Sequence, residues 1–474
     1  MKIENNSQIR VRFAPSPTGH LHIGSLRTAL FNWLFARHYK GAFLIRIEDT
    51  DVARSTKEYE ASLMESLKWS GILSDAPLMH QAARLDVYKK VADDLVVAGK
   101  AYRCFCTQEE LQKKRERAEA AQLSYQYDRA CRNLKPSVEH EGKSYVIRFK
   151  VEVPTSEFIF EDKIKGTVTI PTEQIDDYVI LRSDGTVTYN FAVVVDDHEM
   201  QITHIIRGEE HLFNTPKQIL LYQALEHSAP IFAHIPLILG PSGQKLSKRD
   251  GATSVVEYKK EGYLPNALCN YLVRLGWAHG DQEIFSQEEM IQYFSLDHIH
   301  ASGAKFDMEK LKWVNASYIK KLTPEEILHI LKTDLEKDLK AVTSDWTEAQ
   351  RAGCITLYQD RVATLKELYD YILKVYFLPV TYDWEKLRKL IAKDAVIILQ
   401  LLQQEFGNLE FEKNKIQEKV KAFCKSNDYK MSDITQLLRF AMIGVLSGPS
   451  VFEMMALLGK QEVQKRISMV IAEM

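Results

Sequence analysis

The sequence is short of long apolar runs, and no stretch of its 474 residues approaches the ~18 apolar residues that a membrane-spanning helix requires. Its first residues, Met1 to Arg10, also lack the apolar core of a secretion signal. Cysteine is scarce as well: six unevenly spaced cysteines do not make a disulfide framework, and they suit a reducing compartment. We therefore expect a soluble, cytoplasmic protein with no membrane contact.

A strong excess of either charge is also absent, because 62 Lys and Arg residues nearly balance 64 Asp and Glu residues. Binding of a polyanion normally requires a basic surface, so any nucleic-acid binding must depend on local charge. Two cation-rich stretches, 113–117 and 413–425, are equally typical of solvated helix faces, because both contain glutamate. A chain of this length predicts roughly three to five domains, and we find no repeat of about 20 to 50 residues.

The segment from Pro15 to Gly24 lies where a strand pattern turns into a helix pattern. Alternation from Ile9 to Phe13 predicts a strand, and the spacing from Ser25 to His38 predicts a helix. Free backbone N–H groups and the positive end of the helix dipole meet at such a junction, and its glycines let a phosphate approach closely. The junction is therefore a candidate phosphate site.

A second segment, Lys245-Leu246-Ser247-Lys248-Arg249, follows the turn-rich Gly240-Pro241-Ser242-Gly243. Its two ammonium groups and one guanidinium are the cations that a pyrophosphate leaving group needs. Each segment alone is more typical of a turn or of a solvated basic surface. Together, in this order, they favour a site that holds a nucleoside triphosphate while its α-phosphate is attacked.

The two segments resemble the signature motifs of class I aminoacyl-tRNA synthetases, with His22-Ile23-Gly24-Ser25 in the first and Lys245 to Arg249 in the second. Ser25 stands where the class signature has a histidine, and small residues there are familiar in the glutamyl branch. Four further motifs are similar to the bacterial glutamyl-tRNA synthetases in sequence order: 12–19, 46–51, 188–191 and 207–211. The likeness covers nearly the whole chain and is loosest beyond Thr323.

The resemblance implies that L-glutamate is activated with ATP and Mg²⁺ to glutamyl-adenylate and is then transferred to the 3′-terminal adenosine of tRNA-Glu. In this family, activation itself commonly needs tRNA. The resemblance assigns catalytic roles to His22, Lys245 and Lys248. It assigns ATP binding to Pro15, Thr18, Gly19, His22, Gly24, Ser25, Glu210, Leu246, Ser247, Lys248 and Arg249. It assigns glutamate binding to Arg12, Ala14, Ser16, Glu48, Tyr189 and Arg207.

These residue types suit the chemistry. A guanidinium, as in Arg12 and Arg207, holds a carboxylate with two parallel hydrogen bonds, and Glu48 offers a carboxylate to the substrate ammonium. Val193 replaces an asparagine found in some relatives, which weakens one correspondence. Nucleotidyl transfer depends on positioning and charge stabilisation, so no protein nucleophile is required.

Three cysteines form a separate candidate site. Thiolates of Cys104, Cys106 and Cys131 could supply three of the four tetrahedral ligands of zinc. In zinc-bearing members of the family a histidine two places after the last cysteine is the fourth ligand, and here that position is Asn133, a poor ligand. A related paralogue group uses a tyrosine in the position of Tyr127. The sequence leaves open a zinc site with Tyr127 or a decayed site with ordinary buried cysteines.

Strand and helix patterns alternate at the start of the chain, where Phe43–Ile47 predicts a strand and Ser55–Trp69 a helix. Short strand patterns then indicate an insertion, and an α/β pattern returns: Tyr145–Phe149, Gly166–Ile170 and Tyr178–Leu181, followed by strand Ile202–Ile206 and helix Pro216–Glu226. After Thr323 almost everything predicts helix, including Lys393–Phe406 and Val451–Gly459. We predict an α/β, Rossmann-type class I catalytic domain with an inserted acceptor-binding domain, followed by an all-α anticodon-binding region.

The resemblance divides the chain into five segments and implies a monomer. They are the first half of the catalytic domain (1–98), the connective insertion that binds the acceptor end (99–194), the second half with the lysine loop (195–258), a stem-contact domain (259–322) and the α-helical anticodon-binding domains (323–474).

Three other functions fit parts of the sequence. A paralogue that glutamylates the queuosine base of tRNA shares the catalytic half but lacks the helical region beyond Thr323. Glutaminyl-tRNA synthetase is a near neighbour with a β-barrel anticodon region. An inactive tRNA-binding protein is the third, and the intact His22, Glu48 and Lys245 argue against it. Acceptance of tRNA-Gln in addition to tRNA-Glu is left open.

Overall fold

The computed structural model describes residues 8–51, 54–123, 125–134, 140–247, 253–379, 382, 384–385, 387 and 395–474. The chain divides into two compact units. The first comprises Met1–Val256 and Cys269–Met308, and the second comprises Glu257–Leu268 and Glu309–Met474. No helix in the described ranges combines the length and the apolar character that crossing a membrane demands.

The strands all lie in the first unit, as far as the described residues show. They are β1 (Arg10–Phe13), β2 (Ala42–Ile47), β3 (Met79–His80), β4 (Ala101–Cys104), β5 (Val146–Phe149), β6 (Glu157–Asp162), β7 (Gly166–Pro171), β8 (Val179–Leu181), β9 (His204–Gly208), β10 (Ile231–Ile235), β11 (Ile238–Leu239) and β12 (Ala304–Lys305). The helices up to residue 319 are α1 (Ile23–His38), α2 (Lys57–Trp69), α3 (Leu85–Val97), α4 (Gln108–Ala120), α5 (Tyr189–Glu199), α6 (Thr215–Ala224), α7 (Val255–Lys260), α8 (Pro265–Arg274), α9 (Gln287–Tyr293) and α10 (Met308–Ile319).

Two sheets, one parallel and one mixed, carry the segments that matter for function. Strand β1 pairs with β2, and β2 with β3, in one sheet. In the other, β9 pairs in parallel with β10, β10 meets β6 at the register Phe232 to Asp162, and β6 and β7 form an antiparallel hairpin. A hydrogen bond of 2.9 Å from the Thr203 N–H to the Arg10 carbonyl brings β9 beside β1. The two halves of the predicted catalytic fold therefore meet, and the predicted α/β class is confirmed.

Helix α1 is the centre of this unit. It is buried on nearly every face, as an apolar helix between packed layers must be, and its buried residues include Leu26, Phe31 and Leu34. A separate antiparallel sheet has the order β4–β5–β8, with Ala101 opposite Phe149, and it carries Cys104 at the end of β4. Its core is continuous with that of α3 and α5.

In the second unit, every regular element among the described residues beyond 323 is a helix, as predicted. Its helices there are α11 (Pro324–Thr333), α12 (Leu339–Val342), α13 (Glu348–Gln359), α14 (Leu365–Tyr376), α15 (Ala395–Glu405), α16 (Lys413–Asn427), α17 (Met431–Ile443) and α18 (Val451–Glu473). Thr323 and Glu326 form the predicted helix start, since each side chain accepts the other's backbone N–H, at 3.2 and 2.8 Å. Lys393, where one helix pattern begins, lies outside the described residues.

Some predicted boundaries were wrong by a few residues. Helix α2 begins at Lys57 rather than Ser55, because the Thr56 hydroxyl accepts the Tyr59 N–H at 3.2 Å and caps the helix there. Strand β9 runs from His204 to Gly208 rather than from Ile202, so Arg207 lies on the strand itself. Pairing with β10 sets these limits, and the alternation of one segment does not contain that information.

Candidate active site

A cavity of about 440 Å³ opens beyond the carboxyl ends of β1, β2 and β9. In a parallel α/β sheet the segments that follow the strands meet at this edge, so residues far apart in sequence come together. The cavity is lined by Arg12, Ala14, Pro15, Ser16, Thr18, Gly19, His22, Ser25, Glu48, Tyr189, Arg207 and Glu210, all of them predicted site residues.

A second cavity, of about 170 Å³, shares part of its wall with the first. It contains His22, Ser25 and Glu210 and adds Gly24, Lys245 and Leu246. The two sequence motifs therefore lie around the same end of α1. Of the other predicted residues, Ser247 lines neither cavity, and Lys248 and Arg249 lie outside the described residues.

His22 caps α1 and faces both cavities. Its Nδ1 accepts the backbone N–H of Ser25 at 3.3 Å, and its Nε2 lies 3.0 Å from the Ser25 hydroxyl. Because a backbone N–H can only donate, the proton of the neutral ring resides on Nε2. Burial, followed by the charge of Lys245, lowers the pKa of His22 below its usual value. The ring is therefore a neutral donor at neutral pH, beside the positive end of the helix.

Two buried arginines, Arg12 in the wall of the first cavity and Arg46 on β2, share one carboxylate. Arg12 donates from Nε and Nη2 to the two oxygens of Asp197 at 3.0 and 3.2 Å, and Arg46 donates from Nη1 to Asp197 at 2.5 Å. Arg46 also donates to Glu48 at 3.1 Å. Burial would raise the pKa of Asp197, but the charges of Arg12 and Arg46 hold it below its usual value. Arg12 thus reaches the cavity as a cation that is already paired.

Asp196, the residue before Asp197, holds in place the helix that begins at Tyr189. The carboxylate is fully buried and accepts hydrogen bonds from Gln81 at 2.7 Å, Arg84 at 2.9 Å and Tyr88 at 2.8 Å. These donors lie on α3 and the turn before it. Since α5 begins at Tyr189, the Asp196 contacts fix the position of one cavity wall. Burial raises the pKa of Tyr189, which keeps its hydroxyl a donor at neutral pH.

Arg207 differs from Arg12 in its partners. It is 4% exposed, its Nε donates to His234 at 3.1 Å, and its Nη2 donates to the Thr215 hydroxyl at 2.9 Å. Its Nη1 has no hydrogen-bond partner among the described residues. An unpaired buried donor is costly, so Nη1 is a prepared contact for a ligand acceptor.

The cysteine cluster is compact and lies on the β4 sheet, apart from both cavities. The sulfur atoms of Cys104, Cys106 and Cys131 lie within 4.8 Å of one another. The Tyr127 hydroxyl lies 3.2 Å from the Cys104 sulfur and 3.6 Å from that of Cys106. Thiolates ~2.3 Å from a tetrahedral zinc are ~3.8 Å apart, close to the 3.6 Å between Cys106 and Cys131. The donor set therefore fits zinc.

Electrostatics within the cluster are uneven. Burial alone would raise the pKa of Cys104, but hydrogen bonds from Tyr127 and Arg148 bring it below its usual value. Burial raises the pKa of Cys106 to about 12. The Arg148 guanidinium, itself buried, lies 3.7 Å from the Tyr127 ring centre. Of these two thiols, Cys104 loses its proton more readily, and the thiolate is the form that binds a metal.

Sequence reasoning missed the carboxylates that hold the arginines. Asp196 and Asp197 follow the apolar run from Phe191 to Val195 on one helix, and a pair of acids at the end of such a run was the available signal. Asp162 and His234, which lie behind Arg207, gave no signal at all, because neither belongs to a recognisable motif.

Known proteins are similar to this chain over its full length. Residues 8–313 match the family described as tRNA synthetases class I (E and Q), catalytic domain, and residues 312–471 match the anticodon binding domain family. A glutamate–tRNA ligase from Thermodesulfovibrio yellowstonii is 46% identical over 471 residues, covering 98% of this chain and 99% of that protein. Another, from Lawsonia intracellularis, is 43% identical over 465 residues, covering 97% and 98%.

A solved structure agrees with these relatives. The crystal structure of a glutamate tRNA ligase from Elizabethkingia meningosepticum in complex with its amino acid has a TM-score of 0.89 and 34% sequence identity. The match covers 98% of this chain and 99% of that one.

Proposed function

The chain belongs to the glutamate–tRNA ligases, a family of class I aminoacyl-tRNA synthetases, and from that premise we propose that it activates L-glutamate with ATP and joins it to tRNA-Glu. The observation that carries the proposal is Arg207, a buried guanidinium that lines the first cavity and whose Nη1 makes no hydrogen bond within the described part of the chain. Such a group suits the side-chain carboxylate of glutamate, the feature that distinguishes this amino acid from glutamine.

The rest of the cavity wall suits the other groups of the substrate. Glu48 is a buried carboxylate that, within the described residues, accepts one hydrogen bond, from Arg46, and its second oxygen suits the substrate ammonium. Tyr189 and Ser16 offer neutral hydroxyls, and the Ala14 backbone completes the wall. Burial raises the pKa of Glu48, so pairing with a cationic substrate stabilises its charged form.

The end of α1 and the lysine segment suit ATP. The first-turn N–H groups and the neutral His22 suit its phosphates, and Lys245 brings a positive charge to the smaller cavity. Lys248 and Arg249 follow in sequence and are proposed to neutralise the leaving pyrophosphate, with Mg²⁺ on the triphosphate. The substrate carboxylate then attacks the α-phosphorus, pyrophosphate leaves, and the tRNA hydroxyl displaces AMP from the resulting anhydride.

The anticodon-binding match at residues 312–471 supports tRNA as the second substrate. It also argues against the queuosine-modifying alternative, which lacks such a region, and the helices there argue against the β-barrel of a glutaminyl enzyme. The five-segment division, the monomeric state and the cytoplasmic location remain predictions.

Charging of purified tRNA-Glu and tRNA-Gln with labelled glutamate, ATP and Mg²⁺ tests the proposal. We expect tRNA-Glu to be charged. Charging of tRNA-Gln as well would identify a non-discriminating enzyme. Charging of neither by folded protein would reject the ligase function and favour an inactive tRNA-binding protein.

The cysteine cluster supports a second, independent proposal, that Cys104, Cys106, Cys131 and Tyr127 hold one zinc ion. The four side chains would supply three thiolates and one phenolate, and the zinc would tie β4 to the segment around Cys131.

We expect about one zinc per chain by elemental analysis of protein purified without chelators. Tyr127→Phe should weaken zinc retention, whereas Asn133→His, which supplies the ligand type that zinc-bearing relatives use, should strengthen it. Zinc far below one per chain in the wild type, with no gain in Asn133→His, would mean that the cysteines are ordinary buried side chains.

A further inference from the structure

Three side chains on neighbouring strands form a line that ends at Arg207. His234 on β10 is the register partner of Arg207 on β9, and Asp162 closes β6 opposite Phe232. Because side chains alternate along a strand, positions 232 and 234 face the same side, and Asp162 reaches His234. The distances are 2.6 Å from His234 Nδ1 to Asp162 Oδ2 and 3.1 Å from Arg207 Nε to His234 Nε2.

The direction of each hydrogen bond follows from Arg207. Its Nε–H can only donate, so His234 Nε2 accepts and the proton of the neutral ring is on Nδ1, donated to Asp162. The other Asp162 oxygen accepts three backbone N–H groups, those of Ile164 at 2.9 Å, Lys165 at 2.8 Å and His234 at 3.2 Å. Asp162 and His234 are both fully or almost fully buried, at 4% and 0% exposure. The carboxylate therefore has one orientation, and so does the imidazole.

The protonation states support this assignment. Burial would raise the pKa of Asp162, but hydrogen bonds from His234 and from backbone N–H groups hold it below its usual value. Burial lowers the pKa of His234. At neutral pH the line is thus a carboxylate, a neutral imidazole and a guanidinium.

A neutral partner has a specific consequence for Arg207. Among the described residues its hydrogen-bond partners are uncharged: His234, the Thr215 hydroxyl and the His211 carbonyl, the last at 3.3 Å, and the Tyr189 hydroxyl beside it is neutral as well. Arg12 and Arg46, by contrast, donate directly to Asp197. A carboxylate in direct contact with Arg207 would compete with a substrate carboxylate for the same charge. Placing Asp162 behind His234 fixes the guanidinium without neutralising it.

We propose that Asp162 and His234 are positioning residues for glutamate, which orient Arg207 through its Nε and leave its Nη1 and its positive charge to the substrate carboxylate. This inference rests on the proposed function, because it takes glutamate as the ligand of Arg207. Neither residue touches the substrate.

Asp162→Asn is the sharpest test. The asparagine oxygen can keep the backbone N–H bonds, which turns its NH₂ toward His234 and forces the imidazole proton onto Nε2, where it opposes the Arg207 Nε–H. We expect the Kd and KM of glutamate to rise about 10-fold or more, with the KM of ATP and of tRNA within about twofold of wild type. His234→Gln keeps a donor and an acceptor, so it should lose less glutamate affinity than His234→Leu, which keeps neither.

Asp177→Asn is the matched control. Asp177 is also fully buried and accepts hydrogen bonds from Tyr102 at 2.8 Å, Arg132 at 2.7 Å and a backbone N–H, that of Val151, at 3.0 Å, but it does not contact Arg207. The same chemical change there should leave the Kd of glutamate within about twofold. Glutamate binding is measured by calorimetry on the full-length protein and the KM values by tRNA charging, with circular dichroism to confirm folding.

Two results would overturn the inference. One is an Asp162→Asn protein that is folded and binds glutamate as wild type does. The other is an equal loss of glutamate, ATP and tRNA affinity in Asp162→Asn and Asp177→Asn, which would indicate a purely structural role. Failure of the wild type to charge tRNA or bind glutamate would be a different outcome, since it rejects the proposed function and this inference with it.

Discussion

His22 combines two tasks in one side chain, because it caps α1 and also offers a neutral N–H toward the cavity where the phosphates of ATP are proposed to lie. The first task uses Nδ1 and the second uses Nε2, which shares its proton with Ser25 until a better acceptor is present. Substitutions can separate the two tasks, because asparagine is a good helix cap but has no imidazole.

We expect His22→Ala to lower the rate of tRNA charging by about 100-fold, the usual effect of removing one donor from a developing charge. His22→Asn should restore the stability lost with the cap and leave the rate low. Both variants should bind glutamate with wild-type affinity, because His22 is not among the described hydrogen-bond partners of Arg207, which is proposed to hold the glutamate carboxylate. Charging rates at saturating substrate, urea midpoints and calorimetry measure the three quantities. A rate within threefold of wild type in His22→Ala would remove His22 from the mechanism.

The residues that line the cavity could be predicted because they occur in contiguous motifs, and a motif is visible in one sequence. Asp197 and His234 were not predicted, because their importance comes from contacts with Arg12 and Arg207, which lie 185 and 27 residues away in the chain. A buried acid in a helix pattern looks like any other polar interruption until the partner is known. The side chains that line the cavity were therefore easier to predict than the side chains that hold them in position.

The junction between α1 and β2 depends on a residue with no side chain. At Gly41 the chain leaves the helix and passes so close to β1 that an added Cβ would lie 2.3 Å from the Ile9 carbonyl oxygen. The contact is with backbone, which cannot move aside as a flexible side chain can. The same oxygen accepts the N–H of Ala42 at 2.7 Å and so starts the pairing of β1 with β2.

Gly41→Ala should therefore destabilise the first unit by about 1–3 kcal/mol, the usual cost of forcing a methyl group into a packed site. Gly19→Ala is the matched control for stability, because a Cβ there meets no atom within 4 Å, and it should change the free energy of unfolding by less than about 0.5 kcal/mol. Urea denaturation followed by circular dichroism measures both. Equal midpoints for the two variants would show that the backbone at Gly41 relaxes.

Among the elements, the start of α11 was predicted from its cap, whereas no strand partner was predicted. Thr323 forms a capping box at the start of α11, and a capping box is a local sequence signal. The pairing of β6 with β10 joins residues about 70 positions apart, Asp162 and Phe232, and no local pattern specifies it. Because this pairing brings Asp162 to His234, the hydrogen bonds that support Arg207 could not be predicted from a local pattern either.

For the protein as a whole, buried histidines set the response to acid. Burial, with the charge of Lys163 second, lowers the pKa of His204 to about 4, and burial, with the charge of Arg207 second, lowers that of His211 to about 4. The unfolded chain binds these protons near pH 6.5, so stability is present above pH 6.5 and is lost as the pH falls toward 4. Carboxylates such as Asp197, whose folded pKa is lowered, add to this loss of stability only as the pH falls to about 4 and below.

The buried histidines lose stability in the window between pH 6.5 and 5, and His204 is suited to a single-residue test. It is 5% exposed on β9, its Nδ1 contacts the Thr203 hydroxyl at 2.9 Å, and its ring packs on Phe35. Moving the wild type from pH 7.5 to 5 should lower its free energy of unfolding by ~2 kcal/mol through this residue alone. At pH 5, which is ~1.5 units below the pKa of an unfolded histidine, the unfolded chain binds a proton that the buried ring does not. In His204→Gln that part of the loss should vanish, although the variant starts from lower stability at pH 7.5. Urea midpoints of both proteins at the two pH values give the difference directly. An equal fall in both would mean that His204 protonates freely in the folded protein, and that its burial does not exclude the charged form.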